Sequence, residues 1–448
     1  MGRRGRRNKN REPIEVTITH LEPKGAAGVD GEGKSWRVRG APLGSVVAAR
    51  PGRKQTARLL EVVQPAEEQA TPVCSVYGMC GGCQLQDTPI EAQRQAKQAM
   101  VERLVGHESH AIRGADAAYG YRNKLELSFG VRRYLPEADK DADSHGDWVG
   151  FHPPGWFSKI VPIDECPLAT DGINRVVGAI SAAVPGPAWD NQSHTGHWRH
   201  VVIRQGNGLV VNLVTHPDVD PQAVASVGDR LAAVDGVEGV IWTVTDRVSD
   251  VAQGETRAIL HGASTVNIDM VDVKMTLPHD AFFQVNTPGA AILFETISEA
   301  LGVSEGATLL DLYCGVGAIG LVLGRQFDRV IGIELLESAI DVARSNAVSN
   351  GVEGEWYAGP VEAVLPTLDI EGPRHIIVDP PRAGLHPKAA KFLANMSGEV
   401  LVYVACSPSS LSRDREILES GGWRLEKLWT VDLFPQTPHV EAVARFIR

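Results

Sequence analysis

The chain has 448 residues, of which 43% are hydrophobic, and its formal net charge at pH 7 is −11. That length provides cores for two or three domains, and no apolar stretch of the sequence approaches the length of a membrane span. The charge is uneven, because residues 1–60 contain 14 Lys and Arg against 5 Asp and Glu, a local +9 that leaves −20 for the rest. This asymmetry is typical of a basic polyanion-binding module joined to an acidic enzyme; a solvated basic tail is the alternative.

The N-terminal region predicts a basic tail followed by a small β-barrel. Residues 1–11 are rich in arginine and contain no apolar segment of the kind found in a secretory leader, so a cytoplasmic protein is expected. Over residues 12–70, short alternating runs are separated by glycine-rich turns, which is the pattern of short strands. Trp36 lies among three cations and could either stack on a nucleic-acid base or pack in a core.

Four of the six cysteines have the pattern of metal ligands. Three fall within ten residues that also contain three glycines, and the fourth precedes a proline much further along: Cys74, Cys80, Cys83 and Cys166. Disulfides are rare in reducing compartments, so a metal site is favoured over a disulfide. Because only Cys80 and Cys83 form a CxxC pair, an iron–sulfur cluster is preferred over zinc.

The middle of the chain divides into a helix and a strand-rich region. Apolar residues recur at helical spacing from residue 89 to residue 106. Residues 119–262 are predicted to be mostly strands, interrupted by a solvated acidic loop over residues 136–147. Residues 121–124 combine an aromatic with two cations just before a strand, which indicates an edge that could contact RNA.

The C-terminal region, residues 263–448, alternates strands and helices and therefore predicts an α/β domain with a doubly wound sheet. A strand over residues 308–313 runs into a glycine turn at residues 314–320, a literal GxGxxG, and Glu334 ends the next strand. This pattern suits a nucleotide-type cofactor, NAD included. Asp311 would repel a pyrophosphate but suits the cationic, phosphate-free S-adenosylmethionine, so the methyl donor is favoured over NAD.

Later strands end or begin at candidate catalytic side chains. Asp379 follows a strand and precedes two prolines that stiffen the backbone. Cys406 ends the next strand, where open α/β sheets place their chemistry, so a nucleophile is favoured over an inert buried thiol. Glu441 begins the closing strand, and spacing alone leaves open whether it is a solvated carboxylate or a base in the same cleft.

These motifs, in this order, resemble the uridine-5 RNA methyltransferases that carry an N-terminal TRAM domain and an iron–sulfur cluster, and the resemblance covers nearly the whole chain. The matching segments are the four cysteines, residues 283–286, the glycine turn, residues 379–382, Cys406 and residues 438–441. The resemblance implies a 4Fe–4S cluster on the four cysteines. It also implies that Cys406 is the nucleophile, that Glu441 is the general base, and that the donor site is lined by Gln284, Tyr313, Glu334 and Asp379.

The resemblance also implies a domain organisation with one discontinuous domain. The expected parts are a basic tail (1–11), a TRAM-like RNA-binding barrel (12–70), a central iron–sulfur domain (71–88 and 107–262) and a methyltransferase domain (89–106 and 263–448).

The activity that the resemblance implies is S-adenosylmethionine-dependent methylation of uridine C5 in RNA. Ribosomal RNA of the 23S type is expected ahead of transfer RNA, because the TRAM-plus-cluster arrangement is commoner among the ribosomal enzymes. A monomer without a membrane partner is expected. Residues 405–408 read Ala-Cys-Ser-Pro where the family usually has Ser-Cys-Asn-Pro, so the substrate could be oriented differently.

Two other classes stay open at the level of sequence. One is an RNA-binding iron–sulfur protein whose enzyme domain has decayed, suggested by the altered residues beside Cys406. The other is an NAD-dependent oxidoreductase, suggested by the glycine turn.

Overall fold

The computed structural model describes residues 12–136, 144–302 and 306–448, so the basic tail and most of the acidic loop lie outside the described residues. Its strands form a closed barrel, a seven-stranded sheet, a two-stranded hairpin and an eight-stranded sheet. The expected α/β architecture with a small N-terminal barrel is confirmed. None of the helices in the described ranges is long and apolar enough to cross a membrane.

Five short strands form the barrel: β1 (Ile14–Glu22), β2 (Gly25–Asp30), β3 (Ser35–Arg39), β4 (Val46–Pro51) and β5 (Thr56–Gln64). They close in the order β1-β2-β3-β5-β4, and alternate side chains such as Val16 and Val38 are buried inside. Trp36 belongs to this core, since it is 5% exposed and its indole N–H donates to Asp30 Oδ2 at 2.7 Å. The alternative in which Trp36 stacks on a base is therefore wrong.

The helix predicted at residues 89–106 is confirmed as α1 (Ile90–Val105), which ends at Gly106 in the left-handed region with φ 71°. It packs against two elements near the end of the chain, α9 (Pro408–Ser420) and β21 (Arg424–Asp432). Strand β6 (Arg113–Gly114) follows and pairs with β21. This early stretch of chain is thus part of the packing of the C-terminal sheet.

The central sheet contains β7 (Lys124–Arg132), β8 (His145–Phe151), β9 (Val161–Pro162), β10 (Trp198–Gln205), β11 (Leu209–Thr215), β12 (Val237–Val244) and β13 (Glu255–Gly262). The strand order is β13-β12-β11-β10-β7-β8-β9. Two helices pack on it, α2 (Asp171–Ser181) and α3 (Pro221–Ala232), and the mostly-strand prediction missed both. Each is preceded by a capping side chain, Thr170 or Asp220, that the sequence displays.

The C-terminal region begins with a hairpin of β14 (Thr265–Met270) and β15 (Val273–Pro278), followed by α4 (Thr287–Leu301). The remaining strands are β16 (Thr308–Leu312), β17 (Arg329–Glu334), β18 (Glu355–Ala358), β19 (Arg374–Val378), β20 (Val400–Ala405) and β22 (Glu441–Ile447). The remaining helices are α5 (Ala318–Leu323), α6 (Glu337–Asn350), α7 (Val361–Val364) and α8 (Pro387–Asn395).

The eight-stranded sheet has the order β18-β17-β16-β19-β20-β22-β21-β6 and is parallel from β18 to β20. One apolar layer joins it to α4, α5 and α6, and a second joins it to α1, α8 and α9. The strand order reverses between β16 and β19, and ligands bind open α/β sheets outside the carboxyl ends of the strands at such a reversal. The fold therefore places a binding crevice after residues 312, 334 and 378.

Candidate active site and cysteine cavity

The glycine turn after β16 is held from below by a buried carboxyl group. Asp311 is fully buried, and its Oδ2 accepts a hydrogen bond from the Gly320 amide at 2.8 Å. A Cβ atom on Gly320 would lie 2.9 Å from that oxygen, so the position requires glycine. Burial raises the pKa of Asp311 to about 7, and Glu334 adds to the shift.

Glu334 ends the neighbouring strand, β17, beside this turn. Its carboxylate accepts hydrogen bonds from the amides of Gly315 at 3.2 Å and Leu336 at 3.1 Å. Tyr313, with φ 66°, begins the turn on the opposite side, and burial raises the pKa of its hydroxyl to about 12. The Glu334 carboxylate at the crevice therefore suits a ligand that carries no phosphate.

Gln284 lies on the segment that leads into α4 and is half-buried. Its carbonyl accepts a hydrogen bond from Asn123 Nδ2 at 3.1 Å, which ties this segment to the central sheet. Asp379 leaves β19 beside the same crevice, and its amide donates to the Leu312 carbonyl at 3.3 Å. Burial raises the pKa of Asp379 to about 7, with a further contribution from Asp311.

Strand register brings Cys406 and Glu441 together. Strands β20 and β22 are antiparallel neighbours in which Val404 pairs with Val443 and Ala405 with Ala442, so the next position on each strand places Cys406 beside Glu441. Glu441 is buried, whereas Cys406 is part-exposed. A thiol that can be reached from the crevice is thus paired with a carboxyl group that solvent barely reaches.

Burial favours the protonated forms of both groups. It raises the pKa of Cys406 to about 11, and Glu441 adds to that shift. Burial also holds the pKa of Glu441 well above its usual range, and Asp379 reinforces the effect. The charge of Arg382 opposes both pKa shifts. In the sequence this residue is visible only as the end of the segment 379–382.

The four predicted ligand cysteines line one cavity of about 320 Å³. Cys166 reaches it because Asn174 on α2 accepts from its amide at 2.9 Å and donates to its carbonyl at 3.1 Å. All six cysteines are free thiols, and burial raises the pKa of Cys80 to about 11 and of Cys83 to about 12. Four convergent thiols around a cavity larger than one ion fit a metal cluster.

Within the described ranges, no three His, Cys, Asp or Glu side chains are placed to hold one metal ion. A single zinc ion requires its four ligands within about 2.3 Å of one point, whereas in an iron–sulfur cluster the thiolates bind different iron atoms.

Sequence reasoning missed one pair of residues at this cavity. His152 lines it, and its Nε2 lies 2.7 Å from Asp250 Oδ2. The His152 carbonyl also accepts a hydrogen bond from the Gly81 amide at 3.1 Å, within the cysteine loop. No motif in the sequence joins residues 152 and 250, so only the folded chain shows that they meet.

Comparison with known proteins agrees with this geometry. A model of the tRNA (uracil-5-)-methyltransferase family matches residues 248–355 and 368–447. An uncharacterized RNA methyltransferase of Chlorobaculum tepidum is 35% identical over 97% of this chain and 96% of its own length. One of Clostridium tetani is 31% identical over 96% of each chain. The chain belongs to the uridine-5 RNA methyltransferase family.

A solved structure resembles this RNA methyltransferase over its full length. The Pyrococcus abyssi tRNA (uracil-54, C5)-methyltransferase, in complex with S-adenosyl-L-homocysteine, is 26% identical with a TM-score of 0.76. The alignment covers 97% of this chain and 100% of that chain. The protein is therefore an S-adenosylmethionine-dependent methyltransferase, and the NAD-dependent alternative is set aside.

Proposed function

We propose that this methyltransferase forms 5-methyluridine in RNA, with Cys406 as the nucleophile and Glu441 as the general base. The observation that carries the proposal is the register of β20 and β22, which places the thiol and the carboxyl group side by side at the edge of the crevice. A nucleophile that attacks C6 and a base that removes the proton from C5 act on adjacent carbons of one ring, so their side chains have to be neighbours.

The chemistry explains why both groups are needed. Uracil C5 is a weak nucleophile, so the thiolate of Cys406 first adds to C6 and makes C5 electron-rich. S-adenosylmethionine supplies the methyl group that C5 then takes. Glu441 removes the C5 proton, and the electron pair left at C5 expels Cys406 from C6. The target uridine has to be unpaired or flipped out of a helix to enter the crevice.

The donor site in this proposal is the crevice between the glycine turn and β19. Gln284, Tyr313, Glu334 and Asp379 would line it, as the family resemblance implies. The position of Glu334 at the carboxyl end of β17 supports a role in binding the ribose hydroxyls of the donor, since its carboxylate faces the turn. The Glu334 carboxylate beside the turn supports a donor that carries no phosphate.

We propose that the four cysteines hold a 4Fe–4S cluster and that the barrel is a TRAM-like RNA-binding domain. The shared cavity supports the first part. For the second, residues 12–60 contain 8 Lys and Arg against 5 Asp and Glu, and Arg39 on β3 donates to the Gly81 carbonyl of the cysteine loop at 2.8 Å. The chemistry at uracil requires no electron transfer, so the cluster would have a structural or RNA-positioning role.

For the substrate, we propose 23S ribosomal RNA first and transfer RNA second. The first choice rests on the expected combination of domains. The second is favoured by one observation, the full-length similarity to the Pyrococcus abyssi tRNA enzyme. Mapping of 5-methyluridine by mass spectrometry in ribosomal and transfer RNA from a deletion strain distinguishes them, because only the true substrate loses the modification.

The mechanism is tested by two substitutions with different outcomes. Cys406→Ala is expected to abolish methylation and any covalent RNA adduct, because no other group is proposed to attack C6. Glu441→Gln is expected to accumulate a methylated enzyme–RNA adduct that survives a denaturing gel, because addition and methyl transfer proceed but the C5 proton stays. Full turnover by Cys406→Ala, or product release by Glu441→Gln at the wild-type rate, would contradict the mechanism.

A further inference from the structure

Four consecutive carbonyl groups just before Glu441 are each held by a different part of the chain. We call residues 433–436 the carbonyl hub. Asn286 Nδ2 donates to the Leu433 carbonyl at 2.9 Å, and Lys97 Nζ donates to the Phe434 carbonyl at 3.0 Å. The Tyr121 hydroxyl donates to the Pro435 carbonyl at 3.0 Å. The Gln436 carbonyl accepts from the amides of Gln84 at 2.9 Å and Leu85 at 3.1 Å. These donors come from the segment before α4, from α1, from the start of the central region and from the cysteine loop.

Gln436 is the most constrained residue of the hub. It is 3% exposed and adopts φ 70°, a conformation that a residue other than glycine keeps only when its surroundings enforce it. Gln93 supplies that enforcement from α1, because its Oε1 accepts from the Gln436 amide at 2.9 Å and its Nε2 donates to Gln436 Oε1 at 2.9 Å. Gln93 is itself fully buried.

The hub is connected in one direction to the cysteine cavity. Gln84 and Leu85 immediately follow Cys83, and Gln93 Nε2 also donates to the Leu85 carbonyl at 2.8 Å. The Cys74 amide donates to Gln86 Oε1 at 3.2 Å, which fixes the other end of the same loop. A change in the positions of the cysteines therefore acts directly on the amides that hold Gln436.

In the other direction the hub leads to the proposed base. Thr437 Oγ1 donates to the Phe434 carbonyl at 2.9 Å and accepts from the His439 amide at 3.2 Å, so the turn continues without a free hinge up to residue 439. Glu441 begins β22 two residues later. Few rotatable bonds separate the hub from the catalytic carboxyl group.

We propose that the carbonyl hub positions Glu441, that Gln93 and Gln436 are positioning residues, and that the cysteine loop is one of its supports. This inference rests on the proposed function and deepens it, since it gives the metal cluster a defined task. Ligation of the four cysteines restricts the positions of residues 84–85. Their amides in turn hold the Gln436 carbonyl, and Gln436 anchors the segment that leads to Glu441. Loss of the cluster then impairs proton removal from C5 without any direct contact between the cluster and uracil.

The first test replaces Gln93 by Met, which keeps side-chain length and removes both hydrogen-bonding groups. Because a misplacement of about 1 Å costs up to about a hundredfold in rate, kcat is expected to fall roughly ten- to a hundredfold. KM for S-adenosylmethionine should stay unchanged, and the denaturation-resistant RNA adduct should accumulate as in Glu441→Gln. Adduct accumulation separates lost positioning of the base from general loosening of the fold.

Gln98→Met is the matched control. Gln98 lies on the same helix and also bridges backbone groups, but its partners are Glu102, Ser109 and Ile112, away from the hub. It is expected to leave kcat and the adduct unchanged. Equal effects of the two substitutions, or product release by Gln93→Met at the wild-type rate, would overturn the positioning role.

The second test needs no variant and no turnover. Iron is removed from anaerobically purified wild-type protein with a chelator, and hydrogen exchange is followed by mass spectrometry. Peptides that cover residues 431–441 are expected to exchange roughly tenfold faster after iron removal, because their supports are released, while peptides from α8 are unchanged. Unchanged exchange over residues 431–441 would refute the tie between the hub and the cysteine loop.

The outcomes also separate this inference from the proposed function. If Glu441→Gln traps an adduct and Gln93→Met does not, the hub proposal fails and the mechanism stands. If neither Cys406→Ala nor Glu441→Gln affects methylation, the mechanism fails and with it the task assigned to the hub. The exchange experiment would then still decide whether the hub depends on the cysteine loop.

Discussion

Cys406 and Glu441 both have to lose a proton before the proposed chemistry can run, and burial opposes both losses. Burial raises the pKa of Cys406 to about 11 and holds that of Glu441 well above its usual range, so the reactive forms of both groups become more abundant as pH rises. We expect kcat to increase steadily between about pH 6 and about pH 9, with no plateau in the ordinary carboxyl range. A rate that falls over this interval would contradict the assignment.

Arg382 allows the same argument to be tested at a single residue. Its charge lowers the pKa of both groups against the effect of burial, so Arg382→Gln should move the rising limb of the profile to higher pH. Arg382→Lys keeps the charge and should shift it less. Arg424→Gln, at an exposed position at the start of β21, is the control and should leave the profile in place.

At the residue scale, the sequence was most informative where chemistry and spacing coincide. Cys166 was expected beside the three local cysteines because a four-thiolate metal site needs one more thiol, and all four cysteines line one cavity. The role of Trp36 was ambiguous because a tryptophan flanked by cations gives the same sequence pattern whether it packs in a core or lies on a nucleic-acid-binding surface. Residues such as Asp250 could not be found, because nothing local signals a contact made across about a hundred positions.

Helix α2 shows how a single element serves the cysteine cavity. It begins after Thr170, whose side chain caps it, and its first turn presents Asn174 to the backbone of Cys166. The Asn174 side chain holds both the amide and the carbonyl of Cys166, whereas the three other cysteines come from a separate stretch of chain. The helix thus pre-organises the distant ligand.

Substitution of Asn174 by Leu should therefore weaken metal retention without touching a ligand. We expect anaerobically purified wild-type protein to contain about four irons per chain, with less iron in Asn174→Leu and least in Cys166→Ser. Iron and acid-labile sulfide analysis measures this. Asn395→Leu on α8, where the side chain only bonds Lys391 of its own helix, should retain wild-type iron. One zinc and no iron in the wild-type protein would refute the cluster.

At the element scale, strong local patterns predicted the barrel, α1 and the alternating strands and helices after residue 306. Helices α2 and α3 were missed because the surrounding strand-like runs outweighed their capping residues. The pairing of β6 with β21 was not predictable, since two residues carry too little pattern to specify a partner more than three hundred positions away.

The whole molecule separates its charge by region, and this leads to a prediction about RNA binding. Four exposed cations of the barrel, Lys34, Arg53, Lys54 and Arg58, are candidates for phosphate contacts. Deletion of the barrel is a poor test, because Leu21 of β1 packs in the same buried cluster as α1 and the C-terminal sheet. Replacement of all four cations by Gln avoids that damage.

We expect the fourfold variant to bind RNA more weakly and to show a flatter salt dependence. Each lost phosphate contact reduces the slope of log K against log salt concentration by about 0.7 to 0.9. Binding of S-adenosylmethionine should not change. A control that replaces Lys388, Lys391, Arg424 and Lys427, exposed cations of the C-terminal region, removes the same net charge. Equal slopes for both variants would show that the barrel has no special role.

The path of the chain also has a consequence for how the protein is made. Lys97 of α1 is fully buried and lies 2.5 Å from Asp432, a partner 335 positions later. A ribosome that adds about 5 to 20 residues per second needs on the order of tens of seconds to reach that partner. During this interval α1 exposes Gln93 and Lys97 to water. The face of the helix that is finally buried is therefore partly polar, and it can remain solvated until its partners are synthesised. The barrel and the central sheet can therefore form first, while the helix between them stays solvated until the last strands emerge.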